Sequence, residues 1–197
     1  MNIDFEKGGG LVPAIVQDAD TLQVLMLGYM NEASVAKTRE TGFVTFFSRS
    51  RDTLWTKGET SGNTLALVSL EADCDADALV VLARPAGPTC HEGTVSCFGD
   101  DGAHGVGFVG YLDDLIRKRK DADPSESYTA RLLQGPLVKA AQKVGEEGVE
   151  TALAAVAEGE DAFTGEAADL IYHLLVLLAA KDISLSAVVD VLQRRHT

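Results

Sequence analysis

The sequence is short of positive charge. It has 17 Lys and Arg residues against 30 Asp and Glu residues, which gives a formal net charge of −13 over 197 residues. General electrostatic binding of nucleic acid requires clustered basic side chains that neutralise phosphates, so we expect no nucleic-acid partner. An anionic small molecule would have to be bound by metal ions or by a local basic pocket.

Long apolar runs and a leader sequence are also missing. No run of eighteen apolar residues occurs, and the first thirty residues lack the basic start, apolar stretch and cleavage site of a signal peptide. We therefore expect a soluble cytoplasmic protein that has no membrane partner. Its 46% hydrophobic content is sufficient for one large core or two compact cores.

Cysteine is scarce, and its three copies lie close together in the sequence. Cys74, Cys90 and Cys97 fall within 24 residues of one another. Paired disulfides are not expected in an intracellular chain of this size. The three thiols are therefore either metal ligands or ordinary buried cysteines.

The first half of the sequence has the pattern of a strand-rich domain. One helix is predicted over residues 32–40, with Asn31 as its N-cap and Gly42 at its end. Short apolar runs rich in β-branched residues predict strands around it, at residues 12–16, 24–29, 43–47, 65–70 and 79–83. Together these elements predict a strand-dominated α+β domain.

The apolar periodicity changes from about two to about 3.6 after the glycine-rich residues 99–107. Helices are predicted at residues 109–120, 126–133, 136–158, 162–180 and 184–195, with candidate N-caps at Ser125 and Ser184. We therefore predict two domains, residues 1–106 and residues 107–197, of which the second is an all-α bundle.

A run of alternating aspartates follows the fourth predicted strand. Asp73, Asp75 and Asp77 would point to one side of an extended chain, and Cys74 would point to the other. Three carboxylates form a hard oxygen site suited to Mg²⁺ or Ca²⁺, whereas thiolates select zinc. The pattern predicts two metal sites back to back, although a solvated acidic loop has the same composition.

Two further thiolates would come from a loop-forming stretch that contains Cys90 and Cys97. Zinc with three protein ligands keeps a fourth position for water, which is the catalytic arrangement. The alternative is a closed structural zinc site in which His91 or His104 is the fourth ligand.

Residues 49–63 concentrate basic side chains with hydroxyls and turn glycines. This mixture predicts a local phosphate pocket. The alternative is a polar hairpin in which Trp55 only packs. The candidate substrate-binding residues of this stretch are Arg49, Arg51, Trp55, Lys57, Glu59, Thr60 and Ser61.

Three separated motifs, LWTKGETSGN, DCDADAL and GPTCHEGTVSCF, resemble those of phosphoribosyl-AMP cyclohydrolases, and the resemblance covers residues 11–104. It implies that zinc is bound by the three cysteines and magnesium by the three aspartates. It also implies a homodimer whose zinc ligands come from both subunits, so that one domain need not bring all three thiols together.

The reaction implied by this resemblance is hydrolytic opening of the adenine ring of phosphoribosyl-AMP between N1 and C6. The product is the formimino-type aminoimidazole carboxamide ribonucleotide. A water molecule activated by zinc would attack C6, as in zinc deaminases. The departing ring nitrogen needs a proton donor, and His91 is the candidate because it stands beside a zinc ligand. A purely structural role for His91 is the alternative.

Acidic residues of the second half recur at helical spacing. Glu147 and Glu150 share one face of the long predicted helix, and Glu166 and Asp169 share one face of the next. The second helix is so apolar that we expect most of its surface to be buried, where unpaired charges are costly. A divalent cation shared by the two pairs would compensate both.

Two stretches, KVGEEGVE and EAADLIYHLLVLL, resemble phosphoribosyl-ATP pyrophosphohydrolase, a helical enzyme of the MazG-like kind, over residues 109–197. The resemblance implies that Mg²⁺ ions on the four carboxylates bridge phosphate oxygens and activate water, which yields pyrophosphate and phosphoribosyl-AMP. Lys139 and Lys143 are candidates for binding the polyphosphate, with exposed helix lysines as the alternative.

Two other functions fit parts of the pattern. One is a house-cleaning nucleotide pyrophosphohydrolase with a degenerate first domain, and the other is a non-catalytic zinc-binding dimerisation module joined to a helical interaction domain. The intact aspartate and cysteine triplets argue against the first, and the open fourth zinc position argues against the second. The two resemblances support each other, because the product of the second domain is the substrate of the first. They imply consecutive steps of histidine biosynthesis.

Overall fold

The computed structural model of the chain describes residues 2–99 and 103–196. The chain divides into two compact units, Met1–Phe108 and Val109–Thr197. Strands occur in the first unit, and the second is helical. The predicted order of a strand-rich region followed by a helical region is therefore confirmed.

The first unit is built on a four-stranded sheet with the strand order β2-β1-β6-β5 and a separate two-stranded sheet of β3 and β4. Strand β1 runs antiparallel to β2 and parallel to β6, and β5 runs antiparallel to β6. Its elements are β1 (Val12–Asp18), β2 (Val24–Met30), α1 (Glu32–Thr41), β3 (Thr45–Ser48), β4 (Thr53–Thr56), β5 (Leu65–Ala72) and β6 (Leu79–Pro85).

One face of the larger sheet forms the core of this unit. Val12, Ala14 and Val16 of β1 are fully buried, as the alternation of a strand with one covered face requires. The opposite face is apolar but open. There Ile15 lies in register with Leu27 on one neighbouring strand and with Val80 on the other, and all three are 37–46% exposed.

The predicted start and stop of α1 are both confirmed. The Asn31 side chain accepts a hydrogen bond from the Ser34 backbone N–H, and the Ser34 hydroxyl accepts one from the Asn31 backbone N–H, which together form a capping box. Gly42 ends the helix with a φ of 74°, a left-handed conformation that glycine adopts without steric cost.

Strand β4 was not predicted. Its four residues follow the charged residues 49–52 and are too few to show a periodicity of their own. Pairing with β3 creates the strand, because Trp55 lies opposite Phe46 with the two ring centroids 5.8 Å apart. The β3–β4 pairing forms a hairpin at the start of this stretch.

The second unit is a set of helices connected by short turns. Its core cluster contains Ile116, Leu132, Leu175, Val176 and Ala179. The helices are α2 (Gly107–Lys118), which begins at the end of the first unit, α3 (Tyr128–Gln134), α4 (Leu137–Ala157), α5 (Glu160–Ala180) and α6 (Leu185–His196), with a 3-10 turn at Arg119–Asp121.

Two helix caps can be compared with their predictions. The N-cap of α3 is Ser127, whose side chain accepts from the Ala130 N–H, and the prediction of Ser125 is wrong. Ser125 instead donates to Asp123 in the preceding turn, a local bond that competes with capping. Ser184 accepts from the Ala187 N–H at the start of α6, as predicted.

The expected burial of α5 is wrong for the single chain. Phe163, Ile171 and Leu174 are each at least 40% exposed, and Asp169 is exposed as well. By length and composition alone, α5 is the one described helix that could cross a membrane, and 22% of its apolar 18-residue stretch is buried. The core helix of a helical bundle has the same length and composition, and α5 packs along α4.

The first prediction concerns Gly28 in β2. A Cβ atom at this position would lie 2.4 and 2.5 Å from Cδ1 and Cε1 of Phe46, whose ring is buried at 2% exposure. We expect Gly28→Ala to lower the free energy of unfolding by about 1–3 kcal/mol, the usual cost of overpacking. Denaturant titration measures this change.

The control for this measurement is Gly165→Ala in α5. A Cβ at Gly165 meets no heavy atom within 4 Å, so the change should raise helix stability by at most about 1 kcal/mol. Equal stability of the wild type and Gly28→Ala would contradict the close packing of β2 on β3.

Candidate active sites

The three aspartates converge on the turn between β5 and β6. Carboxylate oxygens of Asp73, Asp75 and Asp77 lie within 4.8 Å of one another. The segment is a tight turn and not the extended chain assumed from the sequence, since Ala76 has a φ of 62°. Asp73 Oδ1 accepts hydrogen bonds from the Asp77 and Ala78 backbone N–H groups at 3.0 and 3.1 Å, which shapes the turn.

A lysine that the sequence analysis missed neutralises this turn. The Lys7 ammonium forms ion pairs with Asp75 and, at 2.5 Å, with Asp77. The Asp4 backbone N–H donates to the Ala76 carbonyl oxygen at 2.7 Å and fastens the N-terminal segment beside the turn. No sequence signal marks Lys7, because it lies 68 residues before Asp75.

Two of the three cysteines come together in one chain. The Cys90 and Cys97 thiols are close enough for each to shift the pKa of the other, and the Cys97 backbone N–H donates to the Leu25 carbonyl oxygen of β2 at 2.8 Å. Cys74 lies on the β5–β6 turn. Among residues 2–99 and 103–196, no Cys, His, Asp or Glu completes a three-ligand group with these two thiols within 4.8 Å.

The environments of the paired thiols differ. Burial raises the pKa of Cys97, and the neighbouring Cys90 sulfur raises it further. The Glu92 backbone N–H and then the Thr94 hydroxyl lower the pKa of Cys90 by hydrogen bonding. Cys90 is therefore the sulfur that loses its proton more readily, as a metal ligand must.

A cleft of about 340 Å³ opens beside Cys90. It brings five of the seven predicted substrate-binding residues of this unit to one place, together with Cys90 and His91. The His91 Nδ1 atom is 3.8 Å from the Cys90 sulfur. The five residues that line the cleft are Trp55, Lys57, Glu59, Thr60 and Ser61.

The two predicted arginines do not line this cleft. The Arg49 guanidinium stacks on the Tyr29 ring at 3.8 Å, and the Arg51 guanidinium lies 6.0 Å from the Trp55 ring centroid. Residues 49–52 form the tip of the β3–β4 hairpin, and this turn sets the direction of both arginine side chains. His104, the other alternative zinc ligand, lines a different depression near Thr21.

Asn63 lines the cleft but was not selected from the sequence. Two glycines leave room for it, because a Cβ at Gly58 would overlap the Asn63 backbone and a Cβ at Gly87 would meet its side-chain oxygen. Gly58 also has a φ of 82°. Glycine often marks a place where another segment packs closely against the backbone. Gly58 and Gly87 could therefore have indicated that a residue such as Asn63 packs beside them.

The second unit brings carboxylates of α4 and α5 together. Oxygens of Glu147, Glu150 and Glu166 lie within 4.8 Å of one another. Asp169, the fourth predicted ligand, falls outside this group of three but is close enough to raise the pKa of Glu166. The Thr151 hydroxyl contacts the backbone carbonyl oxygens of Glu147 and Glu166 at 2.6 and 3.0 Å, linking the helices beside the cluster.

The two predicted phosphate-binding lysines have different positions. The Lys143 ammonium lies 2.8 Å from Glu147 and 3.0 Å from Glu146, and these partners raise its pKa. Lys139 donates to Gln142 on the exposed side of α4. Only Lys143 therefore contacts the carboxylate cluster.

Crowding of like charges affects Glu166 most clearly. Burial raises the pKa of Glu166, and the charges of Glu150, Glu147 and Asp169 raise it further, in that order. Three oxygen donors at this spacing fit a hard divalent cation, which would remove the repulsion. The same holds for the aspartate turn of the first unit.

The donor sets define the class of the protein. Each unit has converging carboxylates that fit a divalent cation, and the first unit adds paired thiols beside a cleft with basic and hydroxyl side chains. Sites of this kind belong to metal-dependent hydrolases that act on phosphorylated small molecules.

Two family models match the chain. The model of phosphoribosyl-AMP cyclohydrolase matches residues 26–99, and that of phosphoribosyl-ATP pyrophosphohydrolase matches residues 109–196. The first match includes all three cysteines and all three aspartates, and the second includes the carboxylates of α4 and α5.

Relatives match almost the whole chain. The histidine biosynthesis bifunctional protein HisIE of Salmonella typhimurium is 57% identical over 194 residues, covering 98% of this chain and 95% of the relative. The proteins of the same name from Xanthomonas campestris pv. campestris and Escherichia coli O157:H7 are each 56% identical over 98% of this chain and cover 93% and 95% of those proteins. The chain belongs to this family of bifunctional histidine-biosynthesis hydrolases.

The second prediction concerns the mutual repulsion of the helical carboxylates. Among the like charges near Glu166, that of Glu150 raises its pKa most. Glu150→Gln removes this charge, so the pKa of Glu166 should fall towards its ordinary value. An NMR titration of the metal-free chain with labelled glutamate carboxyls measures this pKa.

Glu158→Gln is the matched control, because Glu158 contributes the weakest of the like charges that act on Glu166. It should shift the pKa of Glu166 by less than Glu150→Gln does. A larger shift with Glu158→Gln would contradict the arrangement of the cluster.

Proposed function

We propose that the two units catalyse consecutive hydrolyses, with the helical region acting first. Residues 107–197 would release pyrophosphate from phosphoribosyl-ATP, and residues 1–106 would open the adenine ring of the phosphoribosyl-AMP that results. The observation that carries this proposal is the convergence of carboxylates from two helices in one unit and of thiols and carboxylates beside a cleft in the other. The matched families have these two activities.

In the helical site, Glu147, Glu150, Glu166 and Asp169 are proposed to hold Mg²⁺. Bound magnesium would offset the negative charge of the phosphates. The bond between the α- and β-phosphates is hydrolysed, and pyrophosphate departs. Lys143 is placed to contact a phosphate once it leaves Glu147, whereas Lys139 could act only at the outer end of the polyphosphate.

In the first unit, Cys74, Cys90 and Cys97 are proposed to hold zinc, and Asp73, Asp75 and Asp77 to hold Mg²⁺. Bound zinc would supply a water molecule of lowered pKa. The water oxygen ends on C6 as the carboxamide oxygen, the C6–N1 bond breaks, and N1 takes up a proton. His91 is the proposed proton donor because it lines the cleft beside Cys90.

The cleft supplies the proposed contacts to phosphoribosyl-AMP. Lys57 is 8% exposed and offers the positive charge nearest to the thiol pair. Thr60 and Ser61 offer hydroxyls, and Trp55 offers a ring face for the base. Arg49 and Arg51, at the hairpin tip, are proposed to contact a phosphate of the substrate. Glu59 shapes the wall of the cleft by accepting a hydrogen bond from the Thr56 N–H.

A homodimer is proposed to complete the zinc site. One chain brings Cys90 and Cys97 together, and its described residues supply no third metal ligand beside them. Cys74 would therefore come from the partner subunit. The open row of Leu27, Ile15 and Val80 offers an apolar surface for the second copy. The exposed apolar side chains of α5 offer another.

The proposed setting is the cytoplasm, with nucleotides as the only partners besides the second copy. The formal charge of −13 argues against nucleic acid, and thiols that must stay reduced to bind metal fit a reducing compartment. The proposal includes no membrane partner.

The third prediction separates the two activities with one variant in each unit. Cys97→Ala should lower ring opening by about 100-fold or more, since even partners outside the ligand set contribute about 10- to 100-fold. Pyrophosphate release should continue, so phosphoribosyl-AMP should accumulate. Glu150→Gln should instead stop pyrophosphate release while added phosphoribosyl-AMP is still opened.

Chromatography of the nucleotides and a pyrophosphate assay report both steps. Wild-type ring opening by Cys97→Ala would overturn the zinc assignment. Normal pyrophosphate release by Glu150→Gln would overturn the helical metal site.

The fourth prediction tests the shared zinc site by mixing subunits. Cys74→Ala and Cys97→Ala should each lack ring-opening activity alone. Coexpression with random pairing makes about half of the dimers heterodimers, and each heterodimer has one of its two zinc sites complete. About a quarter of the wild-type activity should therefore return.

Cys90→Ala coexpressed with Cys97→Ala is the matched control. These two thiols are neighbours in one chain, so neither site of a heterodimer regains all its ligands, and no activity should return. Recovery in this control, or none with the Cys74→Ala pair, would contradict a zinc site shared in this way.

A further inference from the structure

His173 is a buried polar residue that the proposed reactions leave unused. It lies on α5 one helical turn after Asp169, and its side chain is 7% exposed. Nδ1 is 2.9 Å from the Asp169 carbonyl oxygen and 3.5 Å from Glu147 Oε1, while Nε2 is 3.1 Å from the Tyr128 hydroxyl. Both ring nitrogens therefore face polar atoms inside the unit.

The identity of these partners determines the tautomer. A backbone carbonyl oxygen can only accept, so Nδ1 carries the proton and donates to Asp169. In the neutral ring Nε2 is then an acceptor, and the Tyr128 hydroxyl donates to it. For the neutral ring, this is the one arrangement of protons that satisfies both bonds.

Aromatic neighbours fix the plane of the imidazole. The Tyr172 and Tyr128 rings meet it edge to face, with ring centroids 5.0 and 6.1 Å away and interplanar angles of 80° and 87°. The Tyr172 hydroxyl is itself held by Thr129 of α3 at 2.7 Å. The ring cannot turn without disturbing this contact between α3 and α5.

The fixed N–H edge faces a carboxylate that must change partners. Glu147 is 5% exposed, and its Oε1 lies 2.8 Å from the Lys143 ammonium. A cation bound at Oε1 would take the place of the ammonium there. Among the described contacts of this carboxylate, the other side-chain nitrogen within 4 Å is His173 Nδ1, at 3.5 Å from Oε1.

We propose that His173 is a positioning residue of the pyrophosphohydrolase site, held by Tyr128 in the tautomer that donates its Nδ1–H to the Asp169 carbonyl oxygen and places the same ring edge 3.5 Å from Glu147 Oε1. The inference rests on the proposed metal site and assigns a role to a residue outside it. The imidazole orients the carboxylate for the cation, as hydrogen-bonding partners of metal ligands do in other sites.

The tautomer is tested first, on the metal-free full-length chain labelled with ¹⁵N-histidine. We expect the His173 Nδ1 to be protonated and its Nε2 to be unprotonated. Tyr128→Phe should move the Nε2 resonance, which loses its donor, and Tyr172→Phe should not, because that hydroxyl bonds to Thr129. A proton on Nε2, or an unmoved Nε2 resonance in Tyr128→Phe, would overturn the proposal.

Orientation is tested by Mn²⁺ affinity, measured by electron paramagnetic resonance on the full chain. The amide nitrogen of Asn can replace Nδ1, and the amide of Gln can replace Nε2. We therefore expect His173→Asn to keep the wild-type affinity within about threefold and His173→Gln to lose about tenfold or more. Equal losses in both variants would show that the ring only fills space and would overturn the proposal.

Glu150→Gln distinguishes this failure from failure of the metal site. Suppose that the wild type binds Mn²⁺, that Glu150→Gln loses a Mn²⁺ site, and that His173→Gln binds Mn²⁺ as tightly as the wild type. Then only the role of His173 is wrong. If Glu150→Gln binds Mn²⁺ as the wild type does, the helical metal site is wrong, and the role of His173 falls with it.

Discussion

Repulsion between converging carboxylates is the constraint on which both sites depend. Three carboxylates meet within 4.8 Å in each unit, and like charges at that spacing are unfavourable unless a cation stands between them. Lysine side chains offset part of this repulsion: Lys7 contacts the aspartate turn, and Lys143 contacts the helical cluster. Two ammonium groups therefore occupy the surroundings in which divalent cations are proposed to bind.

This arrangement links folding to function. An acidic cluster without compensation would favour opening of the β5–β6 turn or separation of α4 from α5. Lys7 and Lys143 each offset part of this negative charge, and the Thr151 hydroxyl links α4 to α5 beside the helical cluster.

Features that depend on neighbours in the sequence could be predicted from it. The caps of α1 follow from Asn31 and Gly42, and the helical carboxylates follow from spacings of three residues along one face. The three conspicuous motifs also led to the family that the comparisons confirm. The aspartates converge as expected, although a turn at Ala76 brings them together and not the alternation of an extended strand.

Features that depend on distant segments could not be predicted. Lys7 reaches Asp75 across 68 residues, and β4 exists because Trp55 finds Phe46 on another strand. The burial of α5 was overestimated because an apolar composition does not show how much of a helix surface is covered within one chain.

The most direct test is a time course of the wild-type chain with phosphoribosyl-ATP, Mg²⁺ and Zn²⁺, followed by chromatography of the nucleotides and a pyrophosphate assay. Two consecutive hydrolyses predict that phosphoribosyl-AMP rises and falls, and that the ring-opened nucleotide and pyrophosphate reach equal amounts at completion. Pyrophosphate with phosphoribosyl-AMP as the final product would contradict the account, because the first unit would then lack its activity.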